Sequence, residues 1–128
     1  MTDRHPERWD RERRLRTSRE YAAVKARSDA LRGRFCLVLV HPLAGLPTRV
    51  GFVASRKGVG GAVQRNRARR RLREIVRRRF PRMAPTGYWM VFVAFRSTLT
   101  APHQDLASDV EALLERAGAL APAEASDV

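Results

Sequence analysis

The chain has 128 residues, with 26 Lys and Arg against 13 Asp and Glu, a formal net charge of +13 and a sequence pI near 11.6. That balance points to a polyanionic partner. A hydrophobic content of 44% excludes a purely disordered basic tail, and a single cysteine excludes a disulfide framework or a CxxC metal site.

One domain with one core is expected from the length. Residues 1–14 carry dense charges of both signs and are expected to form a disordered basic tail. They contain no apolar h-region, and no stretch of the chain reaches the roughly 18 apolar residues of a membrane span, so a cytoplasmic protein is expected. The domain proper is expected over 15–117, with a flexible tail over 118–128.

A first helix should start at Thr17, as N-cap, with Glu20 as its capping-box partner. Tyr21, Val24 and Leu15 supply its less polar side. Ser28 to Gly33 reads as a turn or a short edge segment. The apolar run from Arg34 to Val40 predicts a strand ending at His41-Pro42, with a connecting loop from Pro42 to Thr48. Cys36 lies inside that run and reads as a core residue.

A second strand is predicted over Arg49 to Ser55, with Val50, Phe52 and Ala54 toward the core. Gly51 and Val53 lie on its other face, which antiparallel pairing would join to the row Phe35, Leu37, Leu39. After the basic, Gly-rich turn Arg56-Lys57-Gly58-Val59-Gly60-Gly61, a helix is predicted from Ala62 to Phe80. Leu72, Ile75, Val76 and Phe80 follow its 3.6 period and form its buried stripe.

This helix carries the functional argument. Six of the nine residues from Arg65 to Arg73 are Arg, and the only acid between Arg56 and Arg79 is Glu74. A solvated helix face normally mixes signs, whereas clustered guanidinium groups concentrate both field and bidentate geometry for phosphate. At 100° per residue, Asn66, Arg70, Arg73 and Arg77 form one exposed stripe, and Arg67, Arg71 and Arg78 with Glu74 another.

Tyr88 to Phe95, apolar on both faces, predicts a central strand. A last helix is predicted from His103 to Arg116, with Leu106, Val110, Leu113 and Leu114 inward and Gly118 as its stop. The acids of this helix, Asp105, Asp109 and Glu111, are expected on its solvated face.

No catalytic constellation is found. His5, His41 and His103 are scattered over a tail and two connections, and no acidic pair forms a two-metal site. The Gly58, Gly60, Gly61 turn lacks the GxGxxG and Walker patterns, although its cations and amides ahead of a helix could hold an RNA phosphate. Tyr21 and Phe35 are candidate aromatics for stacking single-stranded RNA, and the same spacing also suits a core role. Charge alone suits a ribosome-associated or nucleoid structural protein and does not distinguish RNA from DNA.

The order of the motifs narrows the choice. Ser55-Arg56-Lys57, Ala62-Val63-Gln64-Arg65-Asn66-Arg67, Arg69-Arg70 and Leu72-Arg73-Glu74, with weaker agreement around Tyr21, Val50-Gly51-Phe52-Val53 and Val91-Phe92-Val93-Ala94, resemble the protein subunit of bacterial ribonuclease P. The resemblance implies an α+β fold, a two-layer α/β sandwich like a ribosomal-protein domain, with the Arg-rich helix in a left-handed crossover. It implies a catalytic RNA partner that uses Mg2+ to remove the 5' leader from precursor tRNA, and no obligate protein partner. Arg56, Lys57, Arg65, Asn66, Arg67, Arg69, Arg70 and Arg73 are thereby expected to contact RNA, and Tyr21, Lys25, Phe35 and Val53 to line a leader cleft. Lys25 stands where many members have an aromatic, Gly58 lengthens the basic turn relative to some members, and Gly61 replaces a common Asn. Arg71 adds a charge, at a position usually apolar, whose direction the sequence leaves unassigned.

Overall fold

The structure, a computed structural model, describes residues 11–121. Helix α1 (Ser18–Arg27) begins as its sequence dictates: Thr17 Oγ1 accepts the Glu20 N–H at 3.1 Å, and Glu20 Oε1 accepts the Thr17 N–H at 3.2 Å. The same oxygen accepts the Arg16 N–H at 2.6 Å, and Oε2 pairs with Arg49 Nη1 at 3.0 Å. Burial by itself would raise the Glu20 pKa, but these backbone donors and the Arg49 and Arg16 charges bring it below the usual carboxylate value.

Strands β1 (Asp29–Arg32), β2 (Cys36–Pro47), β3 (Arg49–Val53) and β4 (Thr86–Ala94) form one sheet in the order β1-β2-β4-β3. Both β1 and β4 run antiparallel to β2, whereas β3 runs parallel to β4. Helix α2 (Ala62–Arg77) therefore lies in a crossover, since parallel neighbours cannot be joined by a tight turn. Helix α3 (His103–Arg116) closes the domain.

Two strand expectations are corrected. Strand β2 does not stop at His41-Pro42 but continues to Pro47, with His41 opposite Trp89 and Pro42 opposite Tyr88. Pairing with β1 ends at Val40, so beyond it β2 is a sheet edge on that side, where a proline's missing N–H is tolerated. In addition, β3 pairs with β4 and not with β2, because β1 and β4 already occupy the two sides of β2.

The main core lies on one sheet face. Cys36, Val38, Val40, Val50, Met90 and Phe92 meet Ala68, Leu72, Ile75 and Val76 of α2 and Leu106, Val110, Leu113 and Leu114 of α3. Burial pushes the Cys36 thiol up to about 12, the nearby Asp109 acting in the same direction. Helix α1 crosses the opposite face, where Leu15, Val24 and Val91 form a smaller cluster with Tyr21, Leu39, Val53, Trp89 and Val93.

The acids of α3 are not all solvated. Asp109 accepts the N–H groups of Arg34 and Phe35 at 2.9 and 2.8 Å, closing the turn between β1 and β2, and Glu111 pairs with Arg79 at 3.0 Å and Arg82 at 2.7 Å. Asp105 is exposed, as expected.

The ends also differ from the sequence reading. The expected N-terminal tail lies outside the described residues up to position 10. Within them, Arg11–Arg13 form a 3-10 turn and Arg14 bridges Val50 on the free edge of β3. Gly118, at φ +84°, stops α3 as its sequence suggests. The chain then returns to the core instead of fraying at 118, because Ala119 and Leu120 are buried and Leu120 bridges Met83. The remainder of the expected C-terminal tail, from 122, lies outside the described residues.

Candidate RNA-binding surfaces

The basic turn after β3 is anchored by its small and apolar members. Ser55 Oγ accepts the Gly58 N–H at 2.9 Å, Ser55 O accepts the Val59 N–H at 2.9 Å, and the Val59 side chain is fully buried. This tether leaves Arg56 and Lys57 exposed at the tip. Gly58 supplies the N–H that Ser55 holds. Gly60, at φ +139°, then turns the chain into α2, whose N-cap Gly61 contributes no side chain.

Along α2 the buried stripe of Ala68, Leu72, Ile75 and Val76 divides the cations by position. Asn66, Arg67 and Arg70 are exposed on the outer side, whereas Arg65, Arg69 and Arg73 are half-buried. Arg69 donates to the Asn66 side-chain oxygen. Arg77 is engaged by Glu74 at 2.9 Å, which removes much of its field from the outer stripe. Arg71 has a direction of its own: Nη1 donates to Thr98 O at 2.6 Å and Nη2 to Ala101 O at 2.7 Å.

A second surface lies where α1 crosses the sheet. The Tyr21 ring covers Gly51 so closely that a Cβ built there would stand 2.4 Å from the Tyr21 hydroxyl oxygen. Burial raises the Tyr21 pKa, while the Phe52 backbone hydrogen bond and the charges of Arg69 and Arg73 act the other way. Strand β3 turns Val50 toward the α2 side of the sheet and Val53 toward the α1 side. The cleft and the basic helix are neighbours.

Of the four residues expected to line the cleft, the structure brings together Tyr21 and Val53, and it leaves Lys25 exposed one helical turn beyond Tyr21. It does not bring Phe35 to them. Phe35 packs against the main core, its backbone is tied to Asp109 and Thr98, and Arg34 lies 4.8 Å over its ring. Leu39, Trp89 and Val93 share the cluster instead; the sequence pattern sets Leu39 on this face in a row with Phe35, whereas Trp89 and Val93 were not named for the cleft. The period of two was the available signal: Trp89, Val91 and Val93 take the α1 face of β4 while Met90, Phe92 and Ala94 take the core. Arg49, 5.7 Å over the Trp89 ring, closes that end of the surface.

Among the described residues, no three His, Cys, Asp or Glu side chains gather in a way that could hold a metal ion. What the surfaces offer is guanidinium groups for phosphates, and an aromatic and apolar cleft for unstacked bases.

The chain is similar to known proteins over most of its length. Residues 9–118 match the family model described as Ribonuclease P. The "Ribonuclease P protein component" of Symbiobacterium thermophilum is 44% identical over 108 residues, covering 84% of this chain and 92% of the relative. The protein of the same name from Chloroflexus aurantiacus is 42% identical over 105 residues, covering 81% of this chain and 76% of its own. In fold, the chain is similar to the RNase P protein of Thermotoga maritima, with TM-score 0.69 and 26% identity over 80% of this chain and 96% of that one. It is likewise similar to the Staphylococcus aureus RNase P protein, with TM-score 0.72 and 17% identity over 84% and 97% of the two chains.

Proposed function

The chain belongs to the ribonuclease P protein family, and from that premise we propose how its two surfaces serve the enzyme. It is the protein component of an endoribonuclease ribonucleoprotein that acts with an RNA subunit in tRNA 5' processing. Arg56, Lys57, Arg65, Asn66, Arg67, Arg69, Arg70 and Arg73 hold the RNA subunit. Tyr21, Val53 and Lys25, joined by Leu39 and Val93, receive the 5' leader of the precursor.

One observation carries the reading: a cation-rich helix and a half-buried aromatic cleft lie on the two sides of strand β3, with Val50 packed toward α2 and the Tyr21 ring over Gly51. Two RNAs can therefore be held side by side, one through its phosphates and one through unstacked bases. Hydrolysis of the phosphodiester, and the Mg2+ that assists it, fall to the RNA subunit in this reading, and the protein aligns the substrate. None of the described helices is long and apolar enough to cross a membrane, and we place the enzyme in the cytoplasm with its tRNA precursors.

Reconstitution tests the division of labour. RNA-free protein should leave precursor tRNA intact, and adding the RNA subunit at low Mg2+ should produce 5' cleavage. Cleavage by the RNA-free protein would overturn the assignment. Within the holoenzyme, Tyr21→Ala should reduce the preference for precursor over mature tRNA by roughly tenfold, the order expected for losing one stacked base. Equal losses for both tRNAs, measured as dissociation constants, would remove Tyr21 from the cleft.

A further inference from the structure

Arg71 lies inside the basic run, yet its guanidinium is directed into the protein. Both terminal nitrogens are used on carbonyl oxygens of the segment that follows β4, Thr98 O at 2.6 Å and Ala101 O at 2.7 Å. That segment opens with the 3-10 turn Arg96–Thr98 and is fixed from its other side as well. The fully buried Thr98 hydroxyl donates to Phe35 O and accepts the Phe95 N–H at 3.1 Å.

The result is a groove with two unlike walls. Val63, Asn66, Arg67 and Arg70 of α2 form one, and Leu99 and Thr100 form the other. Arg67, Arg70 and Thr100 are exposed, and so is Val63, at 78%. The C-terminal end of a short helical turn presents carbonyl oxygens, which repel phosphate. Arg71 covers two of them, so the second wall can lie beside a polyanion. Arg71 lines the floor between the two walls, and with both terminal nitrogens held by carbonyls its charge works on the shape and polarity of the groove.

Resting on the family reading above, we propose that a strand of the RNA subunit runs through this groove. Its phosphates lie on Arg67 and Arg70 and its sugar edges on Thr100 and Leu99, with Arg71 as the positioning residue that holds the second wall in place. A two-walled groove with cations on one side and a hydroxyl and aliphatic surface on the other suits a sugar-phosphate backbone, whose charged and less polar edges lie on different sides.

Crosslinking in the assembled holoenzyme tests it. Cys36 is fully buried with its thiol pKa pushed up to about 12, so an aryl azide attached to Thr100→Cys labels a single position. The probe should crosslink to the RNA subunit and not to the precursor leader. A matching probe at Val63→Cys reports on α2 alone. If Val63 crosslinks to the RNA subunit while Thr100 is silent or captures the leader, the groove is overturned and the docking role of α2 stands. If both are silent, the docking role itself fails.

Salt titration separates positioning from direct contact. With about five phosphates neutralised, log affinity for the RNA subunit should fall with log salt at a slope near −3.5, and Arg70→Ala should reduce that slope by about 0.7. Arg71→Leu should weaken binding about tenfold, the order for losing two charged hydrogen bonds that fix one wall, with the slope unchanged. A slope reduced as in Arg70→Ala, or an affinity left as in the parent, would overturn the positioning role. Because the crosslinking arm keeps Arg71, the groove stays testable if Arg71→Leu does not fold.

Discussion

Phe92→Ala is expected to lower the unfolding free energy by about 3–5 kcal/mol, measured by urea denaturation followed by circular dichroism. Phe92 has no exposed surface, sits between Val38 of β2 and Phe52 of β3 in the central strand, and stacks on the Phe52 ring at 5.9 Å between centroids. Removing the ring leaves a cavity beneath α2 and α3 that neighbouring strands cannot close without breaking register. Small domains have only about 5–15 kcal/mol in total, so the variant should be marginal at growth temperature. The functional signature is joint loss. Both surfaces stand on this sheet, so RNA-subunit binding and precursor preference should fail together on warming. A cost under about 1 kcal/mol would contradict the placement of Phe92 at the centre of the core.

Gly51→Ala should act on one surface only. Its Cβ would meet the Tyr21 hydroxyl oxygen at 2.4 Å and the ring carbons at 2.6 Å, distances that real structures do not hold. The ring is the far end of a side chain, tied to the sheet through the Phe52 backbone, so it should give up that bond and swing off the sheet while α1 stays anchored by Val24, its capping box and the Glu20–Arg49 pair. Precursor preference should therefore fall roughly tenfold, as in Tyr21→Ala, with affinity for the RNA subunit unchanged. The double variant Gly51→Ala/Tyr21→Ala should be no worse than either single one, because both remove the same ring from the same place. Additive losses would mean that Gly51 serves the substrate independently of Tyr21.

Helix spans were the most legible part of the sequence. The bounds of α3 match the expected ones, and the capping box of α1 is formed by the two residues that announced it. Helix α2 ends as a regular helix at Arg77, a few residues before the expected Phe80, and Phe80 enters the core from the short 3-10 turn that follows. These features are set by neighbours three or four residues apart, and a sequence displays such neighbours directly. The edge strand β1 was half-visible as a short segment. Its four residues carry one half-buried side chain, Leu31, so little hydrophobic pattern marks them.

The cleft was legible in part. Tyr21 and Val53 were found because a helix aromatic and an alternating strand point the same way. Phe35 was not separated from Leu39 because both have odd positions on the same apolar run. Only the capture of the Arg34 and Phe35 amides by Asp109 removes Phe35 from that row.

By itself the sequence pointed to a polyanionic partner and singled out the helix holding Arg65 to Arg73 as the surface expected to meet it. Charge clusters and helical periods are local, and they survive without knowledge of the fold. Tertiary structure decided the neighbours: β3 beside β4, Asp109 on amides 75 and 74 residues away, and Arg71 on carbonyls 27 and 30 residues away. A guanidinium is equally charged facing RNA or facing a carbonyl. Which of the two it meets depends on where a distant turn comes to rest, and long-range strand pairing sets that position.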